Sequence, residues 1–101
     1  MMQAEVRRGS LYLTAEICAR WLAGLDCVAL LRDGDDLVVL PVRHAAAGGF
    51  LMKRRNGAGD RVVHAPEFFR ANGIGDDAER TVILAWDERR AALVATRGFA
   101  Y

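Results

Sequence analysis

The sequence predicts a single α+β domain, mainly β, made of two intertwined strand–helix–hairpin units. A chain of 101 residues buries enough surface for one modest core but not for two. Short β-branched and aliphatic runs outnumber the segments with helical spacing. The same order of elements occurs twice, over about residues 3–43 and 48–98. Two such units usually pair because neither buries its apolar face alone, and chance similarity between two short units is the alternative.

The first unit begins with a strand at Ser10–Leu13. Thr14 then caps a helix, which ends at Gly24. Cys27–Leu31 is an aliphatic run suited to a buried strand, and Leu37–Val42 is a second strand that follows it after a polar turn. These two strands are predicted to form a hairpin.

The second unit follows a short linker at residues 45–49 (AAAGG). Asn56–Gly59 supplies residues that tolerate positive φ, so the extended segments on either side are predicted to form a tight hairpin. Pro66 fits the first position of a short helix, and Gly73 or Gly75 ends it. The predicted elements are strands Phe50–Arg54 and Arg61–Ala65, helix Pro66–Asn72, and strands Thr81–Trp86 and Ala91–Thr96.

The two units align at an offset of 51 positions in the helices, where Glu16 matches Glu67, and of 54 in the closing turns, where Asp33 matches Asp87. The difference fits an insertion near residues 75–77. Alternation of apolar and polar side chains within the strands predicts which residues form the core. They are Val28, Leu30, Val38, Leu40, Val62, Phe68, Val82, Leu84 and Leu93.

The composition excludes a strongly basic protein, because fourteen Lys and Arg stand against thirteen Asp and Glu. Thirteen of the fourteen basic residues are Arg, which suits phosphate or carboxylate contacts but also follows from a GC-rich genome. Cys18 and Cys27 have no metal-ligand spacing and are expected to be buried free thiols. With no apolar leader and no run long enough to span a membrane, we expect a cytoplasmic protein without membrane contact.

Residues 60–66 (DRVVHAP), the short helix ending near Ile74 and the closing hairpin resemble the AbrB-like swapped-hairpin family. The resemblance covers about half of the chain and extends weakly to residues 5–42, as in the duplicated, MraZ-like members of the family. It implies a swapped-hairpin, barrel-like domain in one chain, acting either as a pseudo-dimeric monomer or as a homo-oligomer. The sequence departs from the Asp-x-x-x-Arg turn of those members, since Asn56 is followed by Asp60 and Glu5 by Gly9.

The resemblance implies a DNA-binding transcriptional regulator that contacts duplex DNA through a basic hairpin. The candidate nucleic-acid-binding residues are Arg7, Arg8, Lys53, Arg54, Arg55 and Arg61. Two basic patches would supply salt-dependent affinity for phosphates and little sequence readout. A solvated hairpin tip is the alternative, and so is a protein-interaction or assembly module that uses the same fold and binds a protein partner instead of DNA.

No catalytic pattern occurs in the sequence, so we expect a protein that is not an enzyme and needs no cofactor. The sequence NGAG at residues 56–59 is too short for a phosphate-binding P-loop, and the acidic residues at 33–36 and 76–79 lack the ligand spacing of an EF-hand. His44 and His64 lack the neighbouring residues that a metal site or a catalytic base requires.

Overall fold

The computed structural model describes residues 1–44 and 48–100, and in this part of the chain eight strands and two short helices form. In chain order the elements are β1 (Met2–Arg7), β2 (Ser10–Leu13), α1 (Ala15–Trp21), β3 (Cys27–Asp33), β4 (Asp36–Val42), β5 (Phe50–Arg54), β6 (Arg61–His64), α2 (Pro66–Ala71), β7 (Glu79–Asp87) and β8 (Ala92–Ala95). The predicted linker at 45–49 lies mostly outside the described residues.

The strands form a closed antiparallel barrel in the order β1-β2-β6-β5-β3-β4-β8-β7, and β7 returns to pair with β1. Each strand is therefore hydrogen-bonded on both sides, and the described strands leave no free edge for pairing with another chain. The mainly β, barrel-like α+β class predicted from the sequence is confirmed.

The two helices begin where the sequence predicted. The Ile17 N–H donates to Thr14 Oγ1 at 3.3 Å, so Thr14 caps α1. Pro66 occupies the first position of α2, where its missing N–H leaves no hydrogen bond unmade. Both helices are too short to be stable alone, so packing against the barrel must hold them.

The main core fills the barrel and extends under both helices. Its most deeply buried side chains include Val6, Leu11, Leu13, Ile17, Val28, Leu37, Val39, Val63, Phe69, Leu84 and Leu93. Five residues predicted for the core lie in it as expected, namely Val28, Leu30, Val82, Leu84 and Leu93.

The prediction was wrong by one position in two places. Val63, not Val62, faces the interior, because the inward row across β2, β6 and β5 joins Leu11, Val63 and Met52. Val62 therefore lies on the outer face, since side chains alternate along a strand. In α2 the fully buried ring belongs to Phe69, and Phe68 is only partly buried beside the core.

Val38 is buried as predicted, but not in the barrel interior. It belongs to a small separate cluster with Ala92 and Val94. Leu40, also predicted for the core, is only partly buried and packs against this cluster instead. Because Leu37, the residue next to Val38, belongs to the interior core, this cluster lies on the outer face of the barrel.

The sequence did not predict β1. Its polar side chains Gln3, Glu5 and Arg7 alternate with the buried Ala4 and Val6, which is the pattern of a strand with one solvated face. This strand has a structural role, since it closes the barrel by pairing with both β2 and β7.

Candidate nucleic-acid interface

The charges of the protein are divided unevenly between the two sides of the barrel. Strands β1, β2, β6 and β5 are consecutive in the barrel, and we call them, with their connecting turns, the basic sheet (residues 2–13 and 50–64). The basic sheet contains six basic and two acidic residues, a net charge of +4. The remaining eight basic and eleven acidic residues give −3. The formal charge of +1 for the whole chain is therefore the sum of two regions of opposite charge.

All six predicted nucleic-acid-binding residues belong to the basic sheet, but its two turns lie at opposite ends. Neighbouring strands in the order β1-β2-β6-β5 run antiparallel, so β1 and β5 end at opposite ends of the barrel. The β1–β2 turn carries Arg8, and Lys53, Arg54 and Arg55 lie at the end of β5 and the start of its loop.

Two of the six side chains nevertheless meet at one aromatic ring. Tyr12 lies on the outer face of β2, in a cross-strand row with Glu5, Val62 and Lys53. The guanidinium carbon of Arg7 is 4.2 Å from the centroid of the Tyr12 ring. That of Arg55 is 4.8 Å from the same centroid. Both contacts have cation–π geometry, which restrains two otherwise flexible side chains.

The basic side chains differ in how fully they are already engaged. Arg61 donates from Nη1 to the Met52 carbonyl oxygen at 3.2 Å and lies 3.8 Å from Asp26 Oδ1. Within residues 1–44 and 48–100, the side chains of Arg8, Lys53 and Arg54 make no hydrogen bond or ion pair. Three of the six predicted residues are thus exposed cations that can approach a ligand without breaking an existing contact.

The loop between β5 and β6 is fixed by its own polar side chains. Asn56 Oδ1 accepts from the Ala58 N–H at 3.0 Å and from the Asp60 N–H at 3.3 Å, and Asn56 Nδ2 donates to Asp60 Oδ2 at 2.9 Å. Asp60 Oδ1 accepts from the Ala15 N–H at 2.7 Å, which joins the loop to the first turn of α1. The Asn56 side chain, and then the Ala15 N–H, hold the pKa of Asp60 below its ordinary value.

The loop also fixes the backbone of Arg55, because the Arg55 N–H donates to the Asp60 carbonyl oxygen at 2.9 Å. The backbone of Arg55 is therefore placed by the same residue that anchors the loop to α1.

The β1–β2 turn is held against the other helix. Gly9 accepts a hydrogen bond from the Ala65 N–H at 2.9 Å and has a φ of +71°. A β-carbon at Gly9 would lie 2.6 Å from Pro66 Cβ, so only glycine fits this approach. Each basic turn of the sheet is thus packed on the start of one helix, and the two turns have fixed positions.

The opposite region of the barrel contains a paired acidic cluster. Arg90 lies 3.2 Å from Asp36, 3.5 Å from Asp33 and 3.5 Å from Asp87. The Arg97 N–H, and then Arg90, lower the pKa of Asp36. Arg90 is thus shared by three carboxylates, which leaves this cluster with a net negative charge. The described residues include no group of His, Cys, Asp and Glu suited to a metal ion.

One hydrogen-bonded pair of polar side chains was not predicted from the sequence. Ser10 Oγ and His64 Nδ1 are hydrogen-bonded at 2.9 Å across β2 and β6. The pair joins two strands of the basic sheet, and its serine is buried, with Ser10 only 5% exposed. No local pattern could have indicated it, since the two residues are far apart in the sequence.

Comparisons of the chain with models of protein families, with curated proteins and with solved structures gave no match. The fold and the candidate interface thus define the class by themselves: a small closed antiparallel barrel with its basic residues concentrated on four consecutive strands and their turns. Among the described residues, neither helix has the length and apolar character needed to cross a membrane.

Proposed function

We propose that the protein binds duplex DNA through the basic sheet and acts as a transcriptional regulator. The observation that carries the proposal is the concentration of a +4 charge on four consecutive strands, with −3 on the rest of the chain. Lys and Arg side chains that neutralise phosphates release condensed counterions, and this release supplies most non-specific affinity for DNA. The opposite charge of the other region orients the molecule, since it repels the phosphates.

The absence of ion-pair partners at three of the basic side chains supports this proposal. Arg8, Lys53 and Arg54 have no competing acidic partner within the described residues. Contacts made by such residues position the protein on the duplex without reading its sequence. The sheet therefore accounts for salt-sensitive affinity, and it leaves sequence preference to other contacts or to DNA shape.

We also propose that the barrel is an internal duplication of the swapped-hairpin type. Each half has the element order β-β-α-β-β. If β1, β2, β3 and β4 are equated with β5, β6, β7 and β8, the strand pairs map onto one another: β1–β7 corresponds to β3–β5, and β2–β6 and β4–β8 each join equivalent strands. The first hairpin of each half thus inserts between elements of the other, which favours two interlocked copies over chance similarity.

The test is binding of a fluorescein-labelled 20-base-pair duplex, followed by fluorescence anisotropy at 0.1 M salt. Charge reversal of two exposed residues, Lys53→Glu with Arg54→Glu, should weaken binding by about 60-fold if two phosphate contacts are lost. The matched control reverses Arg43 and Arg89, which are exposed and lie outside the basic sheet. An equal loss in the control, or no salt-sensitive binding by the unmodified protein, would refute the proposal.

A protein-interaction module is the second candidate, and an apolar row on the other side of the barrel favours it. Leu31, Val38, Val94 and Ala85 are cross-strand neighbours on the outer face of β3, β4, β8 and β7. Leu31 is 47% exposed, whereas Val38 and Val94 are only 5% and 6% exposed, so Leu31 is the most accessible member of the row. If Leu31→Ser abolishes retention of a protein partner while the Lys53 and Arg54 substitutions leave that retention unchanged, the apolar row is the functional surface.

A further inference from the structure

The arrangement of Arg7, Tyr12 and Arg55 brings two like charges close together at the centre of the basic sheet. Their guanidinium carbons lie 4.2 Å and 4.8 Å from the same ring centroid, so they are at most 9.0 Å apart. Two guanidinium groups within this distance repel each other, and an anion that contacts both would be attracted by both charges. Tyr12 offsets part of this cost through the two cation–π contacts.

Both guanidinium groups retain unused hydrogen-bond donors. The Arg55 side chain donates no hydrogen bond within the described part of the chain. Arg7 Nε is covered and has no hydrogen-bond partner among the described residues, although Glu5 Oε2 lies 3.3 Å away. Because Nε is covered, an anion from outside must be bound by the terminal Nη groups of Arg7, which donate no hydrogen bond within the described residues.

We propose that Arg7 and Arg55 together bind one backbone phosphate of the nucleic acid, that Tyr12 is the positioning residue of this site, and that Glu5 competes with the phosphate for Arg7. This inference rests on the proposed function and specifies which side chains hold the bound backbone most directly.

The dimensions of a phosphate set the distance that the two guanidinium groups must reach. Charge-assisted N–H···O bonds of 2.7–2.9 Å place a phosphorus atom about 4 Å from each guanidinium carbon. Two arginines that share one phosphate therefore lie up to about 8 Å apart. The two guanidinium carbons are at most 9.0 Å apart, so they need to approach each other by no more than about 1 Å to share a phosphate. The ring restrains both side chains before the phosphate arrives, which lowers the entropic cost of binding.

Three carboxylates lie near this site, and only one is positioned to compete directly. Glu5 forms an ion pair with Arg7 and remains about half exposed, so a phosphate can displace it at small cost. Asp60 is near Arg55 but is held by the Ala15 N–H and the Asn56 side chain. Glu79 is the cross-strand neighbour of Arg7 on β7, and no ion pair between the two forms.

The test measures the affinity of single variants for the labelled 20-base-pair duplex at 0.1 M salt. Glu5→Gln should tighten binding about two- to fivefold, which corresponds to removal of a partly exposed ion pair. Glu88→Gln is the matched control, since it removes the same charge from an exposed turn outside the basic sheet. A gain in affinity cannot arise from a misfolded variant.

Tyr12 is tested by two substitutions. Tyr12→Phe keeps the ring and should preserve affinity, whereas Tyr12→Leu should weaken binding severalfold because the guanidinium groups lose their support. If Tyr12→Phe and Tyr12→Leu bind equally, Tyr12 is not a positioning residue and the inference fails.

The outcomes also separate this inference from the proposed function. If Glu5→Gln and Glu88→Gln bind alike while the Lys53 and Arg54 substitutions still weaken binding, the phosphate site is refuted and the proposed function stands. If the unmodified protein binds no duplex, both fail. An NMR titration of the Arg7 and Arg55 Nε–H resonances adds a second readout: shifts with inorganic phosphate but none with duplex would assign the site to a small anion and overturn the inference.

Discussion

Replacing Gly9 with alanine should be among the most destabilising single-atom changes in the barrel. The new β-carbon would lie 2.6 Å from Pro66 Cβ and 2.7 Å from Pro66 Cα. A φ of +71° adds about 1–2 kcal/mol for any residue with a β-carbon. Overpacking against a fixed proline ring adds about 1–3 kcal/mol. Together these effects predict a loss of roughly 2–5 kcal/mol in the free energy of unfolding.

The matched control is Gly34→Ala. Gly34 has a φ of +62°, but among the described residues no heavy atom beyond its chain neighbours lies within 4 Å of the position of a β-carbon. It therefore reports the backbone cost alone, and the difference between the two variants isolates the contact with Pro66. Urea denaturation, monitored by circular dichroism, measures the free energy of unfolding of both variants. Equal losses in the two variants would refute the argument that the β1–β2 turn is held tightly against α2.

Three further predictions follow from burial and charge. Phe69→Ala should cost about 3–5 kcal/mol of unfolding free energy and Phe68→Ala clearly less, as urea denaturation will measure; equal costs would contradict the assignment of Phe69 to the core. The pKa values of Asp36 and Asp60 are lowered in the folded protein, so their stabilisation is complete above the ordinary value near 4 and is lost as the pH falls through the lowered values. The urea midpoint should fall with acidification, less steeply in Asp60→Asn, and an equally steep fall in that variant would count against the role of Asp60. Burial raises the pKa of the Cys18 thiol, so at pH 7 it should react with Ellman's reagent much more slowly than free cysteine, and a rate equal to that of free cysteine would disprove its burial.

Local signals in the sequence predicted the elements that begin or end at a distinctive residue. Thr14 and Pro66 marked the helix starts, and the residues 56–59 marked the hairpin, because capping, fixed φ and positive φ are properties of single residues. The same reasoning failed where neighbouring residues are chemically alike. Val62 and Val63 differ only in which of them faces the interior, and the cross-strand register decides that. Phe68 and Phe69 differ in the same way, but there the packing of α2 against the barrel decides which ring is buried.

The candidate interface was predictable in composition but not in geometry. The basic residues are visible as short runs in the sequence, and all six belong to four consecutive strands. The contact of Arg7 and Arg55 with Tyr12 depends on the pairing of β2 with β1 and β6, which joins residues far apart in the chain. For the same reason the near-neutral net charge was misleading, since it gave no indication that eleven of the thirteen acidic residues lie outside the basic sheet.

The most direct test of DNA binding by the basic sheet is the salt dependence of affinity for duplex DNA. Arg8, Lys53 and Arg54 would each contact one phosphate, and Arg7 and Arg55 would share a fourth. Four contacts predict a slope of about −3.6 in a plot of the logarithm of the association constant against that of the salt concentration. Lys53→Glu with Arg54→Glu should reduce the slope to about −1.8, whereas the Arg43 and Arg89 reversal should leave it unchanged. A slope near zero, or one that the Lys53 and Arg54 substitutions do not alter, would contradict DNA binding by this face of the barrel.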